Sequence, residues 1–272
     1  MKRHIDLHLF QQFQSDFNFL MDRVAQSNGE IDIRLRDNYF NLYYKGNSLA
    51  KIQIFQGYYK VTIHTSFVNN IFSTDTRILL PKISKGYECY TLTNKVLMPF
   101  FQSKYLNKIA ANIKAVNNGE EITFEQMLIT DNLQNPDLII IDRQVTETKL
   151  NGKRLDLLAL QHVDANNYLF LVLEVKLGNN KELSQAVGMQ LQQYIDHVTR
   201  EFNDWKAAYE LIYAQLKQLG IFPHLSYTKI NVVLPVLGRV IVGSYSGMAK
   251  TAIRKLGQAY PAIDVRQFSF IL

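Results

Sequence analysis

Three charged residues stand where a β-hairpin would bring them face to face. Asp156 lies within GKRLDLLAL (152–160), and Glu174 and Lys176 lie within YLFLVLEVKLG (168–178). The run His162-Val163-Asp164-Ala165-Asn166-Asn167 between them is rich in turn formers, so the two segments are expected to pair as a hairpin. Centred on Ala165, the pairing sets Asp156 opposite Glu174, and Lys176, two residues on, shares their face. The other face carries Leu155, Leu157, Ala159, Leu171, Leu173, Val175 and Leu177, and a slip of one residue would bury the charges in their place. Two carboxylates this close repel unless a cation sits between them, and a hard, oxygen-ligated ion such as Mg²⁺ suits the position. Such an ion can bind a phosphate oxygen and orient a water, while a neighbouring lysine helps to deprotonate that water and offsets charge at phosphorus. The trio has the ingredients of phosphodiester hydrolysis.

Further candidates lie on either side. In EEITFEQMLITD, Glu121 and Glu125 are one helical turn apart, so either could reach over the sheet to complete a metal shell, and Glu125 is preferred. Downstream, Gln190 and Tyr194 are also four residues apart. They could orient water or touch a nucleic-acid backbone, although taken alone they read more readily as a half-exposed helix face.

In this order, Glu125, Asp156, Glu174-Val175-Lys176 and Gln190-x-x-x-Tyr194, residues 119–272 resemble the PD-(D/E)XK nuclease superfamily, most closely its RecB-like and NucS-like endonuclease domains. The pattern GRVIVGS, helix, IDVRQFSF is similar to the closing strand-helix-strand of NucS-like domains. The resemblance implies a restriction-endonuclease-like core, an α/β fold with a mixed β-sheet flanked by helices. It implies that Asp156 and Glu174 ligate Mg²⁺ or Mn²⁺, that Lys176 is catalytic, that Glu125 assists from the first helix, and that Gln190 and Tyr194 orient substrate or water. DNA is the implied substrate, with single-stranded, duplex and branched forms all open, and a homodimer that cuts two strands is compatible with it. Leu155-Asp156 stands where the superfamily has Pro-Asp, and a helix at 202–219 reads as an insertion. The competing reading is a catalytically inactive nucleic-acid-binding or assembly module that keeps the fold.

The elements that would hold these residues follow from periodicity. Beyond 119 the pattern predicts a helix at 121–132, strands at 138–146, 152–161 and 168–177, helices at 182–200 and 202–219, strands at 229–235 and 239–244, a helix at 246–258 and a strand at 263–270. Before it, Leu7, Phe10, Phe13, Phe17, Leu20 and Val24 make the apolar stripe of a helix over 4–26. An antiparallel four-strand meander is expected over 30–65, cut at Asp37-Asn38, Lys45-Gly46-Asn47 and Gln56-Gly57. Residues 66–92 read as irregular, and 94–116 as a helix closing on Asn117-Asn118-Gly119. The domain boundary is expected there, giving 1–118 and 119–272.

Charge divides along the same line. Residues 1–118 hold 15 Lys+Arg against 8 Asp+Glu, and 119–272 hold 15 against 16. A basic first domain could grip a polyanion, and an ordinary solvated basic face accounts for the same charge. In its meander Arg34, Arg36, Lys45, Lys51 and Lys60 alternate with rings that include Tyr43 and Tyr59. Those residues are candidates for nucleic-acid contacts by stacking and backbone pairing, while aromatic strands packed on the first helix are the plainer reading.

Other chemistries find little support. Cys89 stands alone, which excludes an intrachain disulfide and a cysteine-built zinc site. Gly243-Ser244-Tyr245-Ser246-Gly247 has tyrosine where a nucleophile elbow needs serine. His4 and His8 lack a third ligand. No apolar run is long enough to span a bilayer, and the polar start MKRHIDLH is unlike a signal peptide, so no membrane partner and a cytoplasmic location are expected.

Overall fold

The computed structural model describes residues 3–116, 119–147, 150, 152–184 and 186–269. Its contacts divide into two units, one running up to Thr123 and including Ala214–Pro223, the other comprising Phe124–Tyr213 and the chain from His224. The division falls inside a helix and not at 118, and it gives the first unit a segment from far along the chain. Gln215 secures that segment: its side-chain amide accepts from Ile5 N at 3.2 Å and donates to Ile5 O at 2.6 Å.

In the first unit the expected long helix is two, α1 (Leu7–Asp16) and α2 (Asn18–Gln26), broken at Phe17 where the backbone leaves helical geometry. Their common stripe still works as one face, because Phe10, Phe13, Phe17 and Leu20 are all buried. Phe13 and Phe17 close on Phe40 at 4.8 and 5.1 Å between ring centres, and Phe17 meets Tyr59 edge-on at 5.0 Å. The meander is present as β1 (Ile31–Arg36), β2 (Tyr39–Tyr44), β3 (Asn47–Phe55) and β4 (Tyr58–His64). Its turns use left-handed residues at Asn38, Lys45-Gly46 and Gly57, which is why Asn and Gly sit there.

Residues 66–92 are more regular than their composition suggests. The short α3 (Thr65–Val68) is followed by β5 (Lys82–Ser84) and β6 (Tyr87–Leu92), which extend the sheet to six strands in the order β1-β2-β3-β4-β6-β5. The helical stretch after it is α4 (Asn94–Phe100) and α5 (Ser103–Val116).

The second unit takes α6 (Glu120–Asp131) from Phe124 on, β7 (Leu138–Thr146), β8 (Arg154–Asp164), β9 (Asn167–Leu177), α7 (Ala186–Arg200), α8 (Phe202–Gln218) as far as Tyr213, β10 (Asn231–Gly243), α9 (Ser246–Ala259) and β11 (Asp264–Phe268). The sheet order is β11-β10-β9-β8-β7, with β7, β8 and β9 antiparallel and β10 and β11 added in parallel. The protein is therefore mixed α/β, with one antiparallel and one mixed sheet flanked by helices. The two strands expected at 229–235 and 239–244 are the single β10, whose pairing with β9 shifts between Val233 and Leu237 around Pro235; proline brings no ladder donor. Among the described residues no helix is long and apolar enough to cross a membrane.

The β8–β9 hairpin has the register its composition called for. Leu157 pairs with Leu173 and the ladder runs without a slip to His162 and Tyr168, followed by a bulge and a turn through Ala165 in the left-handed region. Leu157, Ala159, Leu171, Leu173 and Val175 form one core with Phe124, Ile129, Ile140 and Ile241. On the other face Phe170 packs against Trp205 and Tyr209 of α8. Both faces are covered, so a charge on this hairpin is a charge removed from water.

Candidate active site

The β8–β9 ladder ends at Leu157, and Asp156 takes over where it stops: its Oδ2 accepts from Val175 N at 2.9 Å. The carboxylate substitutes for a strand partner and is held in place by backbone. Glu174 and Lys176 follow on the same face of β9. Lys176 Nζ lies 2.8 Å from Glu174 Oε1 and 3.7 Å from Asp156 Oδ2. All three are buried, with 7, 0 and 5% of their surface exposed for Asp156, Glu174 and Lys176.

Helix α7 braces this trio. Gln190 Nε2 donates to Glu174 Oε1 at 2.8 Å and to Tyr194 OH at 3.0 Å, and that hydroxyl donates to the Arg154 carbonyl at 2.8 Å. The spacing of four residues puts Gln190 and Tyr194 on one face of the helix, which ties α7 to both strands of the hairpin. Burial pushes the Tyr194 phenol up to about 12, and the nearby Glu174 charge adds to the rise.

Two carboxylates share one ammonium, which leaves the site short of positive charge. Burial, and then the charge of Asp156, hold the Glu174 carboxyl well above the usual carboxylate range, with Lys176 pulling the other way. Among the described residues Glu174 Oε2 is buried without a hydrogen-bond donor, and the Asp156 carboxyl is close enough to Glu174 to share a proton with it. A buried carboxylate oxygen without a donor carries a desolvation penalty that a proton or a cation would relieve.

Glu125 is buried and paired with an arginine. Its Oε2 is 3.0 Å from Arg143 Nη2, and Gln126 Oε1 accepts from Arg143 Nη1 at 2.7 Å. Arg143 is fully buried on β7 and needs a counter-ion, which Glu125 supplies. Glu125 is still near enough to feel the carboxylate pair: burial lifts its carboxyl to about 7, Arg143 pulls it down, and Asp156 raises it. Arg143 was the residue hidden in the sequence. Asp142-Arg143 inside an otherwise apolar strand is the signal that could have revealed it, and a β-bulge between Ile140 and Asp142 sets which face each one takes.

Among the described residues no group of three or more His, Cys, Asp and Glu side chains gathers as a metal cluster. The two-carboxylate pair remains the candidate. Mg²⁺ is commonly held by one or two carboxylates, with waters and phosphate oxygens completing its shell, and the unsatisfied Glu174 oxygen and the deficit of positive charge fit such an ion.

The expected nucleic-acid face of the first unit needs correcting. Tyr59 is fully buried, its hydroxyl donating to Asp16 and accepting from Gln12, and Tyr43 is buried as well. Both rings are core and neither is offered for stacking. Arg34 is buried against Asp32 at 2.8 Å, and Arg36 is buried with its guanidinium on the Leu35 carbonyl at 3.0 Å. The lysines keep more access to solvent: Lys45 pairs with Glu30 at 3.0 Å, Lys51 lies over the Tyr39 ring and Lys60 over the Phe55 ring.

No family model matches this chain, and no curated protein matches it.

Proposed function

We propose that the protein is a metal-dependent nuclease of the PD-(D/E)XK kind, hydrolysing phosphodiester bonds in DNA at the Asp156/Glu174 pair, with the mixed sheet as its restriction-endonuclease-like core. The observation that carries this reading is the buried pair itself: two carboxylates, one lysine, and a Glu174 oxygen that no donor satisfies. Asp156 and Glu174 would hold Mg²⁺ or Mn²⁺, which supplies Lewis-acid activation of a phosphate oxygen.

The chain's own residues do the rest. The Val175 amide fixes the Asp156 carboxylate, and Gln190 fixes that of Glu174. Lys176 sets an ammonium beside them, where it can hold a water, favour its deprotonation through charge, and offset negative charge growing at phosphorus. Tyr194 holds the Gln190 amide and is thus a positioning residue. The paired Glu125 and Arg143 add a buried ionic neighbour whose carboxyl feels the charge of Asp156.

One observation favours a second reading, a catalytically silent nucleic-acid-binding or assembly module. Lys176 already lies against both carboxylates, an arrangement that also serves as a structural ion cluster. A cleavage assay separates the two. Wild type, Asp156→Asn and Lys176→Ala are incubated with single-stranded, duplex and branched DNA in Mg²⁺, Mn²⁺ or chelator. Cleavage by wild type alone, abolished by chelator, supports the nuclease. No cleavage of any substrate with either metal supports the silent module, and equal cleavage by all three proteins places the activity elsewhere.

A further inference from the structure

Helix α7 carries a second polar feature on the side of Tyr194 away from Glu174. A cavity of about 290 Å³ opens there, lined by Lys153, Gln193, Tyr194, Asp196, His197 and Arg200. His197 and Glu147 are hydrogen-bonded to each other, and the edge of Trp205 meets the His197 ring at 6.0 Å, so the inner wall is fixed. The Asp196 carboxylate accepts from Gln192 at 2.8 Å. At the rim Lys153 is exposed and donates to the Gln193 amide at 2.5 Å, and Arg200 is exposed.

These two cations differ from the buried ones near the hairpin. Lys176 and Arg143 each have a carboxylate within 3.0 Å. Among the described residues Lys153 and Arg200 have none, and both border the same cavity. The cavity is open and polar, with two exposed cations at its rim and one carboxylate, Asp196, in its lining that already accepts from Gln192, and the planar guanidinium of Arg200 suits a phosphate in particular.

Its position gives the phosphate a source. Gln190, Tyr194 and His197 follow one face of α7, and at about 1.5 Å per residue the cavity is about 10 Å along the helix from the Gln190 contact to Glu174. We infer that the cavity beside Tyr194 is an anion subsite that takes a phosphate group of the bound nucleic-acid strand flanking the cleaved bond, with Lys153 and Arg200 as its ligands. The inference rests on the nuclease reading for the identity of the strand, and it stands on the cavity and its two cations for the site.

The test is equilibrium binding of labelled single-stranded DNA to the full-length chain in chelator, followed by fluorescence anisotropy across a salt series. Wild type is compared with the double variant Lys153→Gln/Arg200→Gln and with the charge-preserving Lys153→Arg/Arg200→Lys; circular dichroism checks the folding of each. Loss of one phosphate contact predicts a salt slope shallower by about 0.7 for a single strand, and Kd about ten-fold higher, in the glutamine variant. The charge-preserving variant returns both to the wild-type values. An unchanged slope and Kd in the glutamine variant overturn the subsite, and if wild type still cleaves DNA the nuclease reading survives that loss. A wild type that binds with the expected slope change but never cleaves keeps the subsite and removes the nuclease. Oligonucleotides with 5′-phosphate and 5′-hydroxyl ends distinguish the source: equal slope changes point to a backbone phosphate, and a change confined to the phosphorylated end points to a terminal one.

Discussion

In the antiparallel sheet, β4 alternates strictly between buried and half-buried residues, whereas β8 and β9 are buried along most of their length. The polar groups follow suit. In the first sheet Tyr59 is buried with its hydroxyl satisfied twice, by Asp16 and Gln12, and Arg34 has Asp32. In the second, Asp156, Glu174 and Lys176 sit at the end of a hairpin covered on both faces, and one Glu174 oxygen goes without a donor. Other buried polar atoms also lack a partner, Asn41 Oδ1 in the first sheet and Gln161 Oε1 in the second among them, but those are neutral amide oxygens, whereas Glu174 Oε2 belongs to a carboxyl whose charged form is far costlier to desolvate.

That contrast can be broken by substitution, and the largest effect belongs to Lys176. Lys176→Ala leaves two buried carboxylates with no cation, and a loss of about 3–5 kcal/mol is expected in the denaturant midpoint at unchanged slope. Leu173→Ala, which opens a hole in the apolar layer behind the trio, is expected to lose about 3 kcal/mol, as a well-packed core position should.

Glu174→Gln works in the opposite direction. It leaves Asp156 and Lys176 as a balanced pair, so the metal-free protein gains about 1 kcal/mol while losing cleavage. The same balance gives a pH dependence. Carboxyls raised in the folded chain, Glu174 and the Glu125 carboxyl at about 7, favour folding fully below the unfolded value of about 4.3, and the advantage is lost as pH climbs through their folded values. Metal-free stability therefore falls between about pH 5 and 8, and thermal melting in chelator should show a shallower fall for Glu174→Gln. The smallest effect lies in the other sheet. Tyr59→Phe removes a satisfied hydroxyl and is expected to cost about 1 kcal/mol, so a gain there would erase the distinction between the two regions.

Much of this arrangement is legible in the chain itself. Alternating apolar residues on 155–159 and 171–177 leave only one register that keeps three charges on one face, and the turn formers at 162–167 join the strands, so the convergence of Asp156, Glu174 and Lys176 follows from local pattern. Gln190 and Tyr194 follow from helical spacing. The partner of Glu125 does not, since it depends on a β-bulge in β7 that no periodicity announces. Tyr43 and Tyr59 mislead for a related reason: tyrosines suit an exposed binding sheet and a half-buried one equally well, and only the helices packed above them decide. Short strands such as β5, three residues long, are too brief to leave a period.

A metal-dependent nuclease requires that the Asp156/Glu174 pair bind a divalent ion. Electron paramagnetic resonance of Mn²⁺ titrated into the full-length protein measures this without reference to any substrate. One bound ion per chain in wild type, displaced by Mg²⁺ and lost in both Asp156→Asn and Glu174→Gln, is the predicted result. Equal binding in all three proteins, or no binding in wild type, would contradict it.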